Sequence, residues 1–455
     1  NPEMAHPAPK SDTETATVFN LGFKTKIENP TIAQRIYFAK ACGVARFAYN
    51  WALEQWQKQY ELHKADPEKN PAPSEAALRR QLNAIKPVEF PWMLEVTKCA
   101  PQHAIMNLGK AFRNFFRDPE KFRYPQFKKK FRHDSFTISN DQIKIEGSRI
   151  RIPNLGWVRM CEPLRFKDAK VLSVTISRGA DDWYVSISCE LTSLTHLKPA
   201  KNQGRVGVDL GILKMAVLSD GHVFEAPMPL KHALARLKIL QEIMSRAKRG
   251  SRNRQKLRVR IARLHRRIAN IRSHAIHKLT AFLASNYSEV VIEDLNVKGM
   301  MANHHLARAI GDVGFYEFRR QLEYKMALRG GLLVVAPRFY PSSKRCRFCG
   351  GKNEDLTLSD RSWVCPHCGE TIEDRDLNAA LNLFHYSKDW DSEASASADA
   401  EGSSGSTSDK ALPDTAPHDG VPASVADQAL RGGDEEGALA SPPAMPEEAL
   451  TPSPD

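Results

Sequence analysis

The chain has 455 residues, 42% of them hydrophobic, which is enough for two or three domains with a buried core. No run of about 18 uncharged apolar residues occurs, which argues against a membrane-spanning helix. The polar, Pro-rich residues 1–10 lack the apolar core of a signal peptide. We therefore expect a protein that does not act in a membrane.

The net charge of +13 conceals two regions of opposite sign. Residues 387–455 contain 15 acidic and three basic side chains, so residues 1–386 carry a net charge of +25. A body this basic is typical of a protein that binds nucleic acid. The acidic segment has no apolar periodicity, so we predict a disordered tail over 387–455, which either solvates the chain or mimics nucleic acid. We also predict disorder over 1–16.

The first 119 residues predict a strand followed by helices. Residues 17–27 alternate between apolar and polar side chains as a strand does, and residues 31–60 have helical periodicity. A second helical stretch covers about 74–116. We therefore predict a helical insertion over 31–119.

Short strands are predicted between residues 120 and 200. The strand patterns cover 136–139, 143–152, 171–177 and 183–189. Turn-like residues at 146–148 and 179–182 predict hairpins. Residues 17–30 and 120–200 together predict a small β-barrel that the helical insertion interrupts.

From residue 205 the pattern becomes that of an α/β domain. A three-strand meander is predicted over 205–225. Two short apolar strands, 290–294 and 332–336, follow with a helix at about 313–328 between them. This order is that of an RNase H-like domain, so the predicted fold class is multidomain, with a β-barrel and an α/β domain over 204–386.

A helical hairpin between these strands is strongly basic. Residues 231–278 contain 16 Lys or Arg and one acid, with a break between two helices at 247–254. Like charges one helical turn apart repel, and phosphate supplies the missing counter-charge. A solvated charged face is the alternative. We predict non-specific nucleic-acid contacts from Arg258, Arg263 and Arg266.

Half of the eight cysteines form two tight pairs. Cys346 and Cys349 are separated by 15 residues from Cys365 and Cys368, a spacing typical of a zinc ribbon. Four thiolates close a tetrahedral site, so we predict one structural Zn²⁺, with redox dithiols as the alternative. His367 would be a fifth ligand and is left out. The other cysteines are predicted to be small core residues: Cys42, Cys99, Cys161 and Cys189.

Three carboxylates occupy positions that suit a metal-dependent nuclease. Asp209 lies on the first strand of the meander and Glu293 on the fourth strand of the domain, where an unpartnered charge is costly, and Asp376 begins a helix after the cysteine pairs. Two divalent ions need several carboxylate oxygens from different elements. The alternative is that each acid is a solvated edge residue. We predict that these three residues are catalytic and hold two Mg²⁺ ions.

The motifs around these residues resemble those of the TnpB family, transposon-encoded RNA-guided DNA nucleases related to type V CRISPR effectors. The resemblance covers about residues 17–385. Its motifs near the acids and cysteines are 207–211 (GVDLG), 291–300 (VIEDLNVKGM), 339–346 (FYPSSKRC) and 374–380 (DRDLNAA). Earlier motifs are 45–51 (ARFAYNW), 124–130 (YPQFKKK) and 155–158 (LGWV).

The resemblance implies an architecture and a set of roles. The barrel would be a wedge domain, the helical insertion a recognition domain, and residues 204–386 a RuvC-like nuclease domain with its zinc ribbon at 340–370. Asp209, Glu293 and Asp376 would be the RuvC-like triad, and Asp374 a local helix cap.

The resemblance also implies partners and a location. A guide RNA from the transposon end would direct the protein to double-stranded DNA next to a short flanking motif, and a transposase of the same element is a further partner. We expect a prokaryotic cytoplasmic protein, nucleoid-associated when bound to DNA. Candidates for reading the flanking motif, by resemblance, are Arg46, Asn50, Lys98, Gln102, Ser139 and Asn140. Ordinary surface polarity is the alternative for each.

Three other functions stay open at this stage. A CRISPR-associated compact effector of the same ancestry would share every motif. A guide-directed DNA-binding repressor would be expected to lack triad carboxylates, and all three are present. A guide-independent Holliday-junction resolvase is disfavoured, because the barrel and the helical insertion would have no task.

Overall fold

The computed structural model describes residues 18–166, 169–194, 197, 200–302, 304–357 and 359–387. The predicted disorder of 1–16 and of the tail after Ser387 lies outside these residues. Among the described residues, no helix combines the length and the apolar character that crossing a bilayer requires.

The N-terminal unit contains three α-helices and seven strands. Its helices are α1 (Ile32–Ala65), α2 (Glu75–Glu89) and α3 (Cys99–Arg117). Its strands are β1 (Phe19–Lys26), β2 (Ser135–Ser139), β3 (Lys144–Glu146), β4 (Arg149–Ile152), β5 (Gly156–Arg159), β6 (Lys170–Gly179) and β7 (Asp182–Leu191). The helical stretch predicted over 74–116 is divided, because Pro91 starts a separate 3₁₀ turn between α2 and α3.

The seven strands form two antiparallel sheets. One has the order β1-β7-β6-β2 and the other β3-β4-β5, and a bridge between Ile27 and Met160 joins them. Both sheets share one core with the helices, in which the Phe38 ring lies 5.1 Å from the Trp183 ring. The predicted hairpins at 146–148 and 179–182 are confirmed.

One cysteine prediction is wrong. Cys42, Cys99 and Cys189 are buried as expected, but Cys161 is exposed. Neighbouring side chains of an extended segment point to opposite faces, and the preceding Met160 is the one that enters the core.

The second unit is an α/β domain. Its strands are β8 (Arg205–Asp209), β9 (Lys214–Leu218), β10 (Val223–Glu225), β11 (Glu289–Glu293), β12 (Leu332–Ala336), β13 (Trp363–Val364) and β14 (Thr371–Ile372). Its helices are α4 (Pro229–Arg246), α5 (Arg252–Asn286), α6 (Val297–Ala302), α7 (His304–Val313), α8 (Phe315–Leu328) and α9 (Arg375–Phe384).

The main sheet has the order β10-β9-β8-β11-β12. The first three strands are an antiparallel meander, and β8, β11 and β12 are parallel, so the predicted order of meander and strand–helix–strand is confirmed. Helix α9 packs directly on β8. A Cβ atom at Gly207 would lie 2.1 Å from the Ala380 carbonyl oxygen, so only glycine permits this approach.

The basic hairpin consists of α4 and α5, with the predicted break between them. The C-terminal half of α5 packs under the sheet through Ile276, Leu279 and Leu283. Its N-terminal half extends to the β6–β7 turn of the first unit, where Arg263 contacts Asp181. Helix α5 therefore connects the two units.

Candidate functional site

Two of the predicted catalytic acids lie side by side at one edge of the main sheet. Strands β8 and β11 are parallel, with Val208 paired to Ile292, and each ends in the next residue, Asp209 or Glu293. Carboxyl ends of neighbouring parallel strands meet at the same edge. The third acid, Asp376, lies in the first turn of α9, which the contact at Gly207 holds against β8.

Asp209 and Glu293 lie in surroundings that disfavour their charged forms. Burial, and then the nearby charges of Glu293 and Asp376, raise the pKa of Asp209 to about 8. Burial also raises the pKa of Glu293, although the Ser342 hydroxyl donates a hydrogen bond to its Oε1 at 3.1 Å. A cation bound beside Asp209 and Glu293 would favour their charged forms.

Asp376 and Asp374 have different surroundings. The Asp376 carboxylate lies 3.6 Å from Lys214 Nζ and 3.6 Å from an Arg361 nitrogen. Asp374 is the N-cap of α9, because its Oδ1 accepts hydrogen bonds from the backbone N–H groups of Asp376 and Leu377. Its Oδ2 accepts from Lys214 at 3.1 Å. The prediction that Asp374 is a local cap is confirmed, and the metal-binding role of Asp376 stays a prediction.

Helix α9 also fixes the loop that precedes the first cysteine pair. The Asn378 side chain donates to the Arg345 carbonyl at 2.8 Å, and the Asn382 side chain donates to the Ser342 carbonyl at 2.8 Å. The Tyr340 hydroxyl donates to the Asn382 carbonyl at 2.9 Å. These contacts tie the ribbon to the helix that carries Asp376 and to the residue that contacts Glu293.

These anchoring residues were missed in the sequence. Asn378 and Asn382 are 0% and 4% exposed, one turn apart on the buried face of an amphipathic helix. Buried amides need hydrogen-bond partners, so two asparagines at this spacing signal a fixed polar contact. Ser342 gave no comparable signal, because its partner Glu293 is distant in the chain.

The four paired cysteines converge. The Sγ atoms of Cys346, Cys349, Cys365 and Cys368 all lie within 4.8 Å of one another. Cys346 and Cys368 are 3.8 Å apart, and Cys349 and Cys365 are 3.6 Å apart. Tetrahedral coordination with Zn–S bonds of about 2.3 Å places ligands about 3.8 Å apart. The cluster therefore fits a zinc ion.

Local backbone geometry builds each half of the cluster. Gly350 and Gly369 have φ of 74° and 78°, and their N–H groups donate to the Cys346 and Cys365 carbonyls at 2.9 Å. This left-handed conformation favours glycine and closes each turn. His367 is not among the ligands: its Nε2 lies 2.9 Å from the Lys352 carbonyl oxygen.

The candidates for reading a DNA motif fall into two groups. Arg46 and Asn50 line one pocket with Trp51 and Phe127. Arg46 pairs with Asp134 at 3.4 Å, and the Asn50 amide exchanges two hydrogen bonds with the Lys128 backbone, at 3.0 and 2.7 Å. The Asn50 side chain therefore has structural partners. Its contact with DNA stays a prediction.

The second group surrounds the start of α3. Lys98 and Gln102 line a pocket with Arg79 and Lys86. Ser139 Oγ lies 2.8 Å from His103 Nε2 on the same helix. Asn140, the next residue, is exposed. These four candidates therefore lie around the first turns of α3 and the end of β2.

The three arginines predicted to bind phosphate differ in their contacts. Arg258 is exposed, with its guanidinium 5.9 Å from the Phe131 ring centre. Arg263 bonds both carboxylate oxygens of Asp181, and Arg266 stacks on Tyr184 at 4.1 Å. The Asp181 carboxylate therefore supplies part of the negative charge that we expected phosphate to supply. Nucleic-acid contact by these arginines stays a prediction.

Three family models match the chain. Residues 186–304 match a model described as "Probable transposase", and residues 315–383 match "Cas12f1-like, TNB domain". Residues 19–65 match "Helix-turn-helix domain". In the structure these last residues form β1 and the single long helix α1.

Several relatives match most of the chain. "Putative RNA-guided DNA endonuclease InsQ" of Escherichia coli K12 is 36% identical over 368 residues, 77% of this chain and 88% of that protein. A "Putative RNA-guided DNA endonuclease" of Streptomyces pristinaespiralis is 35% identical over 365 residues, 78% of this chain and 86% of that protein. A chain in a solved structure, "Cryo-EM structure of the Cas12f1-sgRNA-target DNA complex", has 14% identity and a TM-score of 0.47, covering 77% of this chain and 83% of that one.

The mixed five-stranded sheet, the acids at its edge and the cysteine cluster define a multidomain α/β protein of the transposon-associated class that the first model describes. The chain belongs to the TnpB family, together with InsQ and the Streptomyces relative. The resemblance seen in its motifs is confirmed.

Proposed function

We propose that this chain is an RNA-guided, metal-dependent endonuclease that cleaves double-stranded DNA beside a short flanking motif, with a guide RNA from the transposon end. Family membership and the +25 charge of residues 1–386 support binding of both nucleic acids. The observation that carries the proposal is the approach of Asp209, Glu293 and Asp376 at one sheet edge.

We propose that the three acids hold a pair of Mg²⁺ ions. Carboxylate oxygens are the ligands that Mg²⁺ prefers, and a bound cation would favour the charged forms of Asp209 and Glu293, whose pKa values burial raises. When bound, such ions activate water and stabilise the leaving oxygen of a phosphodiester. Asp209, Glu293 and Asp376 would hold them.

The chain's other residues orient these acids. Ser342 fixes one oxygen of Glu293, while Lys214 and Arg361 flank Asp376. Asp374 caps α9 and so fixes the first turn in which Asp376 lies. Each acid is therefore held on a strand end or a capped helix end, which suits a site that must keep its geometry.

We assign the proposed domain roles to the N-terminal unit and to the α/β domain, each of which has a hydrophobic core. Residues 204–386 are proposed to be the RuvC-like, RNase H-like nuclease domain, with one structural Zn²⁺ on the four cysteines of its ribbon at 340–370. Residues 17–30 and 120–200 are proposed to be the wedge domain, and 31–119 the recognition insertion. The shared core of the N-terminal sheets and helices supports wedge and insertion acting as one body.

The test is cleavage of target DNA by the protein with its guide RNA, which sequencing of co-purifying RNA would identify. Asp209→Ala should abolish cleavage and leave RNA and target binding intact, because guide pairing does not need ions at the sheet edge. The matched control is Asp355→Ala, an exposed acid on the ribbon. Full cleavage by Asp209→Ala would contradict the nuclease mechanism. Target binding without cleavage by the unaltered protein would indicate a repressor.

A further inference from the structure

Phe131 occupies an unusual position in the basic loop before β2. It follows three lysines, Lys128 to Lys130, and its side chain is 55% exposed. Its backbone has φ of +65°, a left-handed conformation that is uncommon for a bulky residue. Such backbone outliers cluster at functional sites, and this one presents an aromatic ring to solvent.

Three cations surround this ring. Lys130 Nζ lies 5.1 Å from the ring centre, and the guanidinium carbons of Arg178 and Arg258 lie 5.8 and 5.9 Å from it. They come from three separate elements: the loop itself, β6 and α5. The site is therefore assembled by the fold and not by a local run of sequence.

The charges around the ring are poorly balanced. Asp134 lies 4.0 Å from Arg178, but it also pairs with Arg46, at 3.4 Å. Within the part of the chain that the structure describes, no carboxylate pairs with Lys130 or Arg258. Three cations with one shared acid leave net positive charge beside a partly exposed aromatic ring.

An aromatic platform flanked by cations matches the chemistry of an unpaired nucleotide. Single-stranded nucleic acids bind where a base stacks on an aromatic ring and cations hold the adjacent phosphates. An acidic peptide would balance the charge but would leave the ring without a flat partner. A duplex would offer phosphates, but its bases are already stacked on both sides.

We propose that Phe131 is a stacking site for an unpaired base of RNA or DNA, with Lys130, Arg178 and Arg258 holding the phosphates next to it. The site adds a single-strand contact to the proposed function and does not depend on cleavage. A failed cleavage test and a failed stacking test are therefore distinguishable.

The experiment uses the full chain carrying Asp209→Ala, freed of nucleic acid by high salt. Binding of a 12-nucleotide thymidine strand is compared with binding of an abasic 12-mer that has the same phosphates, and a uridine 12-mer distinguishes RNA from DNA. Phe131→Leu should weaken binding of base-bearing strands by about 5- to 100-fold and leave abasic binding unchanged. Phe131→Trp should bind at least as tightly as the parent.

The matched control is Phe116→Leu, which removes another exposed phenylalanine, 61% accessible, from α3. It should change neither affinity. Equal losses for base-bearing and abasic strands in Phe131→Leu would show that Phe131 only packs α5 against the loop, and an unchanged preference for bases would also overturn the proposal. Should Phe131→Leu fail to fold, photo-crosslinking of a 4-thiothymidine strand to the parent chain decides. Adducts within 124–134 are expected, and adducts only elsewhere would overturn the proposal.

Discussion

The cysteine cluster and the carboxylate cluster gather metal-ligand residues in opposite ways. All four cysteines come from the single segment 346–368, and two glycine-closed turns shape it. The carboxylates come from β8, β11 and α9, which are far apart in the chain. Chain-local geometry builds the first site, and sheet order builds the second.

The two clusters also differ in electrostatics. The cysteine cluster offers four thiol ligands at the spacing of a tetrahedral site, and an ion held by all four would have no open position for a substrate. Asp209, in contrast, is held where burial, and then the charges of Glu293 and Asp376, raise its pKa to about 8. Asn378 and Asn382 join the clusters mechanically, because both amides bond the loop that leads into Cys346.

The largest expected effect on cleavage distinguishes Asp376, in the first turn of α9, from Asp374, its N-cap. If Asp376 holds the metal as proposed, Asp376→Ala should reduce guided DNA cleavage to background. Asp374→Asn should retain most activity, since asparagine caps helices as well as aspartate does. Both are measured with guide RNA, target DNA and Mg²⁺, with RNA binding as the control for folding. Active Asp376→Ala beside inactive Asp374→Asn would place the third ligand two residues earlier.

The next effect tests whether the cysteine cluster supports the acids. Cys365→Ser should remove zinc, which elemental analysis should find at one ion per parent chain. Cleavage should fall by about tenfold or more, since loosening the ribbon disturbs the loop that holds Glu293 through Ser342. Cys161→Ser, at an exposed cysteine outside the cluster, is the matched control and should change neither zinc nor cleavage. Unchanged zinc content in Cys365→Ser would contradict the assignment of this ligand.

The contrast explains what the sequence could predict. Cysteine spacing carries the ribbon's geometry, because its ligands and turns lie within one short segment. The apolar strands and the order meander, strand, helix, strand predicted which edges would meet, and so predicted the approach of Asp209 and Glu293. The predicted barrel stays a prediction: hydrogen bonding divides those strands into two sheets, which a bridge between Ile27 and Met160 joins.

Contacts between distant side chains were beyond reach of the sequence. Sixteen basic residues against one acid in the hairpin suggested unmet charge. The structure shows that Asp181, on the β6–β7 turn, meets Arg263, a pairing that no local pattern encodes. Ser342 is similar, since a serine near a cysteine pair is ordinary until the fold brings Glu293 to it.

A smaller effect tests that serine. Ser342→Ala removes a hydrogen bond to a carboxylate oxygen of Glu293, and bonds to charged groups contribute about 1.5–3 kcal/mol. Glu293 keeps its position on the strand without this hydrogen bond, so we expect cleavage to fall by only about tenfold. Ser342→Thr should restore it. Ser343→Ala, the neighbouring residue, is the matched control. Equal cleavage by the alanine and threonine variants would show that the hydroxyl does not orient Glu293.

The smallest effect concerns stability without Mg²⁺. The folded-state pKa of Asp209 is about 8, and an unfolded aspartate has a pKa of about 3.9. Between these values the folded chain holds a proton that the unfolded chain has lost, so this group's contribution to stability falls as pH rises from about 4 to about 8. Asparagine does not titrate. Asp209→Asn should therefore unfold at a temperature a few degrees above the parent at pH 8.5, with a smaller difference at pH 5.5.

Thermal unfolding in Mg²⁺-free buffer at both pH values measures this difference. Asp220 supplies a control of opposite sign: burial opposes its ionisation, but hydrogen bonds from Tyr287 and the His222 backbone outweigh this and lower its pKa. Its charged form stabilises the fold fully once pH exceeds the unfolded pKa of about 3.9, so Asp220→Asn should be less stable than the parent by the same amount at pH 5.5 and at pH 8.5. A pH-independent difference for Asp209→Asn would show that the sheet-edge acids already have their counter-charge. The carboxylate cluster and the cysteine cluster would then differ in the type of their ligands and not in their electrostatics.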